Sequence, residues 1–195
     1  MLPPQARSYW NDSKGKLWYI PKVFPEELFL KLEAEIAWQQ DSIRMFGKLL
    51  PLPRLTAWYG DPGAVYRYSG IVNHPKPWTP LLLNLKETVE GLLDQRFNSV
   101  LLNRYADGQD YQGYHADDEP ELGSEPNIAS LSFGEARMFR FKEKLGPARF
   151  GILLEPGSLL WMSGALQEHF LHALPKSKKV QGPRINLTFR FIEGA

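Results

Sequence analysis

The sequence predicts an α+β protein in which antiparallel strands form a sandwich or barrel and helices pack against the outside. Two observations support this fold class. The N-terminal half contains two stretches with the helical spacing of apolar residues, and the chain from about residue 98 onwards consists of short β-rich runs separated by glycine and proline. At 195 residues, the chain has the length of one domain with a sizeable core.

The two helical stretches carry distinct signals. In PEELFLKLEAEIAW, the residues Leu28, Leu32 and Ile36 fall four apart, which places them on one face of a helix. In WTPLLLNLKETVEGLL, Thr79 suits the N-cap position and Pro80 suits the first helical position. The apolar face predicted for this second helix consists of Leu81, Leu85, Val89 and Leu92.

Six β-rich runs predict strands, and they read NSVLLNRY, NIASLSF, ARMFRFK, ARFGILL, GSLLWM and RINLTFRF. The last run alternates, because polar residues occupy every second position from Arg184 to Arg190 and apolar residues lie between them. The polar face of such a strand either contacts solvent or lines a polar cavity at the mouth of a barrel. On the alternation alone, solvent exposure is the favoured prediction.

The composition restricts the chemistry that the protein can perform. There are no cysteines, so disulfides, thiolate metal sites and a cysteine nucleophile are excluded, and any metal must bind histidine and carboxylate. The first 16 residues lack the apolar core of a signal peptide, and no stretch is apolar enough to span a bilayer. A soluble, cytoplasmic protein without membrane contact is therefore expected.

Charge is segregated along the chain although the net charge is only +1, which argues against a general nucleic-acid binder. Residues 107–125 hold seven acidic and no basic side chains, whereas residues 176–190 hold five basic and no acidic ones. Residues 137–149 hold five basic side chains and one acidic one. Segregated charge can orient an anionic partner, but such runs are also typical of solvated faces.

A metal site is suggested by the His115-x-Asp117 pair, because residues two apart on an extended strand point to the same side. Such a pair is a weak signal by itself. A further histidine would complete two histidines and one carboxylate on one face of an octahedral Fe(II), leaving positions open for a bidentate cosubstrate and O2. Both His169 and His172 lie on a later segment, and spacing alone does not decide between them.

Arg184 and Arg190 suggest a partner that carries carboxylates, because a guanidinium binds a carboxylate through two parallel hydrogen bonds. Six residues of extended strand separate the two side chains by about 20 Å. That distance is large for one small diacid.

Four motifs in this order resemble the AlkB dioxygenases. They are N-x-Y at Asn103–Tyr105, H-x-D at His115–Asp117, His172 followed by Ala-Leu-Pro, and R-x-N-x-T-x-R at Arg184–Arg190. The resemblance extends over 46–192 and is closest to the members that repair duplex DNA. Each motif alone is common, and the four in order are specific.

The resemblance implies a double-stranded β-helix, or jelly roll, within a single domain over 1–195. The N-terminal helices and a nucleotide-recognition lid would occupy about 1–97, and the catalytic jelly roll about 98–195. The implied Fe(II) ligands are His115, Asp117 and His172. The residues implied to hold the cosubstrate 2-oxoglutarate are Asn103, Tyr105, Arg184, Asn186 and Arg190. Arg184 would bind the distal carboxylate and Arg190 would lie near the chelating end, so the two arginines serve opposite ends of one molecule.

The implied reaction is oxidative demethylation, or dealkylation, of N-alkylated bases in DNA with O2, releasing succinate, CO2 and formaldehyde. The base would be flipped out of the DNA duplex and stacked between His115 and Tyr68, with Tyr66 beside it. Phe46 would fill the gap left in the stack, and Asp118 would favour the positive charge of the lesion. The basic residues implied to contact phosphates are Arg54, Lys142, Lys176, Lys178 and Lys179.

The sequence alone leaves other functions open. Between the metal histidine and aspartate stands Ala116, where duplex-acting relatives carry a longer polar residue, so the strand preference is undecided. The same iron chemistry could act on RNA, protein or lipid. A non-catalytic β-barrel binding module is the alternative from another class, and loss of a triad residue would have supported it. No obligate protein partner is evident.

Overall fold

The computed structural model describes residues 2–45, 48–68 and 71–194, with side chains except in 43–49 and 66–73. Its strands are β1 (Arg7–Asp12), β2 (Gly15–Ile20), β3 (Ser42–Met45), β4 (Lys48–Pro51), β5 (Leu55–Gly60), β6 (Tyr66–Tyr68), β7 (Ile71–Asn73), β8 (Ser99–Tyr105), β9 (Gln112–His115), β10 (Ile128–Gly134), β11 (Arg137–Glu143), β12 (Arg149–Leu154), β13 (Ser158–Ser163), β14 (Phe170–Leu174) and β15 (Arg184–Arg190). Its helices are α1 (Leu28–Glu35), α2 (Pro80–Leu93) and α3 (Leu166–His169), with a 3₁₀ turn at Pro120–Leu122.

Two antiparallel sheets form the framework. The larger has seven strands in the order β1-β2-β13-β10-β15-β8-β5, and the smaller has four in the order β12-β11-β14-β9. Two separate hairpins, β3–β4 and β6–β7, lie in the part of the chain between α1 and α2. The prediction of an antiparallel sandwich with helices outside is confirmed.

The six strands predicted from sequence correspond to β8, β10, β11, β12, β13 and β15. Three further strands, β1, β2 and β5, come from the N-terminal part and belong to the seven-stranded sheet. A boundary near residue 97 therefore does not separate the sheets from the rest of the chain. Short strands such as β5 were missed because their sequence, LTAWYG, lacks a clear alternation of polar and apolar residues.

Helices α1 and α2 cover one face of the seven-stranded sheet, in a core to which Leu32 and Leu85 contribute. The predicted start of α2 is confirmed, since the Thr79 hydroxyl accepts a hydrogen bond from the amide of Leu82 at 3.2 Å. The buried face is rotated by about one position from the prediction and consists of Leu82, Leu85, Val89, Glu90 and Leu93. With Leu81 to Leu83 all apolar, the sequence left this rotation undetermined, and packing against the sheet decides it.

Strand β15 is buried on both faces, so the prediction of a solvent-exposed polar face was wrong. Its apolar residues Ile185, Leu187 and Phe189 pack into the core beneath the helices. Its polar residues line a cavity between the two sheets, together with residues of the smaller sheet. The strand has the alternation of a half-exposed strand because one of its two buried environments is polar.

A second apolar cluster closes the space between the sheets at the other end, and it includes Tyr19, Phe141, Leu160 and Phe170. The space between the sheets is thus divided into an apolar part and a polar cavity. Among the described helices, none has both the length and the apolar character needed to cross a membrane.

Candidate active site

Neighbouring strands of the larger sheet bring the polar residues together by register. Asn103 of β8 lies opposite Asn186 of β15, and Tyr105 lies opposite Arg184. All of them line the cavity between the sheets, which we call the inner cavity, and Arg190 lines it as well. The five residues that the resemblance implied for the cosubstrate therefore share one cavity.

The three expected metal ligands come from the smaller sheet. His115, the last residue of β9, pairs with His172 of β14, and Asp117 follows two residues after the strand. The histidine Nε2 atoms are 3.2 Å apart, and Nε2 of His115 is 3.7 Å from Oδ1 of Asp117. Two nitrogen donors at right angles and about 2.1 Å from one ion would lie about 3 Å apart. The donor atoms of all three residues lie within 4.8 Å of one another, so they can bind one ion.

The tautomer of His115 suits metal binding. Its Nδ1 lies 2.9 Å from the carbonyl oxygen of Gly113, which can only accept, so Nδ1 carries the proton. Nε2 then presents its lone pair, and it lies 2.9 Å from Nε2 of Gln112, which donates. Gln112 in turn accepts from the hydroxyl of Tyr105 at 3.3 Å. The hydrogen bond from Nδ1 of His115 to Gly113 leaves Nε2 for a metal. In metal sites, such a hydrogen bond at the second ring nitrogen orients the histidine ligand.

The charge state of the cluster also suits a metal. Burial by itself raises the pKa of the Asp117 carboxyl, but the Arg190 guanidinium and the two histidines outweigh it and hold that pKa well below its usual range. Arg190 Nη2 donates to Asp117 Oδ2 at 2.8 Å. Burial, followed by the proximity of His115, lowers the pKa of His172 to about 3. Asp117 is therefore a carboxylate and His172 a neutral imidazole, which are the forms that bind metal.

Of the two histidines that the sequence left as candidates, His172 is the one in the cluster. It is buried, and the ring of Phe139 lies 5.2 Å from its ring. His169 is the last residue of α3, and its carbonyl oxygen accepts from the amide of Lys144. The structure thus separates two residues that spacing could not distinguish.

Arg184 lines the inner cavity six residues along β15 from Arg190, which contacts the metal ligand Asp117. The surroundings of Arg184 show whether a diacid fits. Its Nη2 donates to Oγ of Ser132 at 2.9 Å, and its guanidinium lies 5.5 Å from the ring centre of Tyr105. Burial lowers its pKa to about 10, so it is charged at neutral pH. Within the described chain, Arg184 makes no ion pair and its buried Nε has no hydrogen-bond partner. A buried cation of this kind needs an anion, so a carboxylate-bearing cosubstrate fits the cavity.

A second cavity, which we call the outer cavity, adjoins the first. Both cavities share Asn103, His115, Asp117 and Arg190, and also Leu101 and Gln112. The remaining wall of the outer cavity comes from the segment after α1, from the loop between β4 and β5, and from β5 itself. It consists of Gln39, Asp41, Leu52, Arg54, Thr56, Ala57 and Trp58. A molecule in the outer cavity would therefore lie against the metal ligands from the side opposite Arg184.

The residues predicted to bind the substrate differ in where they lie relative to the two cavities. Arg54 is only 7% exposed, and its Nε donates to Oδ1 of Asn103 at 2.7 Å, so it belongs to the cavity wall rather than to an exposed phosphate-binding surface. The Asp118 side chain is 58% exposed and pairs with Lys144 at 3.1 Å, and it lines neither cavity. Phe46 lies outside the described residues. Tyr66 and Tyr68 lie in strand β6, and their side chains are outside those described.

Two of the predicted phosphate contacts lie over aromatic rings of residues in β9 or directly before it. The ammonium of Lys142 is 4.5 Å from the ring centre of Tyr114, and that of Lys176 is 4.9 Å from the ring centre of Tyr111. Both tyrosines are exposed. Their role as phosphate contacts stays a prediction.

The fold and the site both correspond to known proteins. The family model described as "2OG-Fe(II) oxygenase superfamily" matches residues 18–190. The chain belongs to the 2OG-Fe(II) oxygenase superfamily. It is therefore an Fe(II)- and 2-oxoglutarate-dependent dioxygenase, and the His115, Asp117 and His172 cluster provides a metal site that suits this chemistry.

Within the superfamily, the chain is a member of the AlkB family. It is 43% identical over 182 residues to the human DNA oxidative demethylase ALKBH2, with 88% of this chain and 70% of that protein covered. It is 42% identical over 168 residues to the mouse alpha-ketoglutarate-dependent dioxygenase alkB homolog 3, covering 81% of this chain and 58% of that protein. The Arabidopsis thaliana ALKBH2 is 36% identical over 205 residues and is matched over 65% of its length, with 89% of this chain covered.

A solved structure supports the fold. The structure of OsALKBH1 superposes with a TM-score of 0.68, covering 95% of this chain and 100% of that chain at 16% identity. The predicted jelly-roll fold is therefore confirmed.

Several residues that shape this dioxygenase site were missed by sequence reasoning, and Arg137 is the clearest. It is 1% exposed, and its guanidinium donates at 2.9 Å to the carbonyl oxygens of Asp107, Asp110 and Pro175. It lies 5.8 Å from the ring centre of Tyr105. Arg137 thus joins the loop after β8 to the loop after β14 behind Tyr105. A single arginine at the start of a strand gives no sequence signal of these long-range contacts.

Replacing Arg137 with lysine should lower the free energy of unfolding by about 1.5–3 kcal/mol, because one ammonium cannot reach three carbonyl groups in different directions. It should also raise the 2-oxoglutarate concentration needed for half-maximal turnover, since Tyr105 lies against it. Chemical denaturation and cosubstrate titration measure the two effects. Arg140→Lys on the exposed side of the same strand is the matched control and should leave both values unchanged. Equal behaviour of the two variants would show that Arg137 does not hold the loops.

Proposed function

We propose that this enzyme removes alkyl groups from N-alkylated bases in DNA by oxidation. The outer cavity carries the proposal, because its wall includes the metal ligands His115 and Asp117 beside hydrogen-bonding side chains and the indole of Trp58. A flat, polar base that entered it would place its alkyl group towards the metal ligands. The relatives named as DNA oxidative demethylases support the same substrate.

When bound, iron and 2-oxoglutarate supply the oxidation of the alkyl carbon by O2, with release of succinate, CO2 and formaldehyde. In the proposed arrangement, His115, Asp117 and His172 hold the iron. Arg190 keeps Asp117 ionised and orients it through the 2.8 Å hydrogen bond. Arg184 binds the distal carboxylate of 2-oxoglutarate.

The neighbouring polar residues Tyr105, Asn103 and Asn186 complete the proposed cosubstrate site. Asn186 is itself fixed, because its amide nitrogen donates to Oγ of Ser130 and to the carbonyl oxygen of Leu131, both at 2.8 Å. A side chain held in this way can meet the cosubstrate without reorganising. All five residues of the proposed cosubstrate site are buried, which limits the access of bulk water to bound 2-oxoglutarate.

The metal ligand Asp117 in the wall of the outer cavity is buried beneath the protein surface, so a base must leave its stack to reach the metal site. We propose that Tyr68 stacks on the flipped base with Tyr66 beside it. We also propose that Phe46 occupies the gap that the base leaves in the DNA base stack. The proposed phosphate contacts are Lys142, Lys176, Lys178 and Lys179. These roles rest on the sequence resemblance and on the position of the hairpins between α1 and α2. The structure does not favour the roles that the resemblance implied for Arg54 and Asp118, because Arg54 lies in the cavity wall and Asp118 lies outside both cavities.

The direct test uses the purified chain without added protein partners. It is loaded anaerobically with Fe(II) and 2-oxoglutarate, exposed to air, and given oligonucleotides that contain 1-methyladenine or 3-methylcytosine. Single-stranded DNA, duplex DNA and RNA are compared by mass spectrometry, with succinate measured in parallel. We expect loss of the methyl group from DNA together with succinate formation. Succinate formation without repair of DNA would overturn the proposed substrate, and repair of RNA alone would assign the same chemistry to RNA.

A further inference from the structure

Asp41 holds a fixed position in the wall of the outer cavity. The segment that carries it is joined to β5 by two backbone hydrogen bonds of 2.9 Å between Gln39 and Thr56. The carbonyl oxygen of Asp41 accepts from the amide of Leu52 at 2.8 Å. The backbone of Asp41 is thus attached on both sides to structure that surrounds the cavity.

The carboxylate of Asp41 is oriented by two donors. The Thr56 hydroxyl donates to Oδ2, and Nε2 of Gln39 donates to Oδ1 at 3.1 Å. Each oxygen of an ionised carboxylate can accept about two hydrogen bonds, so both retain capacity for a further donor. The carboxylate is therefore held in place and still able to receive hydrogen bonds from a molecule in the cavity.

The charges in the outer cavity show which of them is available to a substrate. Arg190 contacts Asp117, which belongs to the metal cluster, and Arg54 donates to Asn103. Among the described side chains, neither Arg54 nor Asp41 makes an ion pair. Asp118, the acid that follows the metal-binding aspartate, is paired with Lys144 outside the cavity. Asp41 is thus a carboxylate in the wall of the outer cavity that, unlike Asp117, makes no ion pair with a described side chain.

We propose that Asp41 determines the preference of the outer cavity for cationic N-alkylated bases that carry an exocyclic amino group. This inference rests on the proposed function. The carboxylate accepts a hydrogen bond from the amino group and balances the positive charge that alkylation adds to adenine or cytosine. Placing a cationic ring in a cavity is costly without a negative partner. A hydrogen bond to a charged acceptor is also stronger than a neutral one.

The test compares Asp41→Asn with the wild-type enzyme on DNA containing 1-methyladenine, which is cationic, and on DNA containing 1,N6-ethenoadenine, which is neutral and lacks the amino group. We expect Asp41→Asn to lower kcat/KM for 1-methyladenine by about ten- to a hundredfold, the factor that corresponds to one charge-assisted hydrogen bond. We expect less than about a threefold change for the etheno lesion on the same reasoning. Succinate formed without DNA is measured in parallel and reports whether the iron site of each variant is intact. Thr56→Val, which removes the hydroxyl that orients Asp41, should shift the ratio in the same direction by a smaller factor.

Asp94→Asn is the matched control, because Asp94 is exposed at the end of α2 and its left-handed backbone conformation tolerates asparagine. It should leave both rates unchanged. Equal losses on both lesions in Asp41→Asn, or no loss on 1-methyladenine, would overturn the proposal. It would likewise be overturned if Asp118→Asn alone produced the selective loss. A wild-type enzyme without activity on either lesion would instead refute the proposed function, and the inference about Asp41 would fail with it.

Discussion

Replacement of Asp117 by alanine should reduce base repair and succinate formation by more than about 100-fold, since loss of an outer hydrogen bond to a metal ligand already costs that much in some sites. The variant removes one of three donors that lie within 4.8 Å of one another. It also removes the carboxylate that Arg190 contacts inside the protein. Breaking such a buried pair costs about 3–5 kcal/mol of folding stability.

Asp117→Asn separates the two effects. The amide oxygen can still accept from Arg190, so most of the stability should remain, whereas the neutral oxygen is a poor ligand for Fe(II). Turnover should fall in both variants, while thermal unfolding should shift clearly only in Asp117→Ala. Fe(II) binding can be measured directly from the increase in unfolding temperature on anaerobic addition of the metal.

The two neighbouring histidines provide the control for this site. His172→Ala should abolish turnover, and His169→Ala should retain it, because His169 lies at the end of α3 and outside the donor cluster. Full activity of His172→Ala together with an inactive His169→Ala would show that the assignment of the third ligand is wrong.

Local patterns predicted much of the fold. Each of the six predicted strands is present, and Thr79 caps α2. These features depend on side chains close in sequence, through alternation and capping. The environment of a strand depends instead on what packs against it. The alternation in β15 therefore gave the correct strand with the wrong prediction for its polar face, which lines the inner cavity instead of contacting solvent.

The candidate site likewise contains residues that sequence motifs identify and residues that only the fold brings together. The motifs around His115 and Arg184 identified residues that line the inner and outer cavities, which adjoin each other. Asp41 and Arg137 belong to no motif, and their positions arise from contacts across the fold. The carboxylate of Asp41 contacts Thr56 because a backbone bridge between Gln39 and Thr56 aligns the two segments. Arg137 donates to carbonyl groups 27 to 38 residues away in the chain. Single positions with such distant partners leave no periodic or spaced signal in one sequence.

Arg184→Lys should raise the 2-oxoglutarate concentration required for half-maximal turnover by about ten- to a hundredfold, because lysine loses the bidentate geometry of the guanidinium. Arg184 is buried and charged, and it makes no ion pair with the described residues, so its natural partner is an anion in the inner cavity. The maximal rate at saturating cosubstrate should change much less, since Arg184 contacts Ser132 and Tyr105 and not the metal ligands. A cosubstrate titration with succinate as the product measures both quantities.

Arg104→Lys is the matched control, because Arg104 is next to Tyr105 on β8 and its guanidinium binds Glu33 on the other side of the sheet. It should leave the cosubstrate requirement unchanged. The pH dependence gives a second test. Burial lowers the pKa of an arginine at this position to about 10 and would also lower that of a lysine, which starts from a smaller value. Binding of 2-oxoglutarate to the wild type should therefore stay constant across the neutral range, whereas binding to Arg184→Lys should weaken as rising pH removes the lysine proton. An unchanged titration curve in Arg184→Lys would mean that the distal carboxylate of 2-oxoglutarate is bound elsewhere.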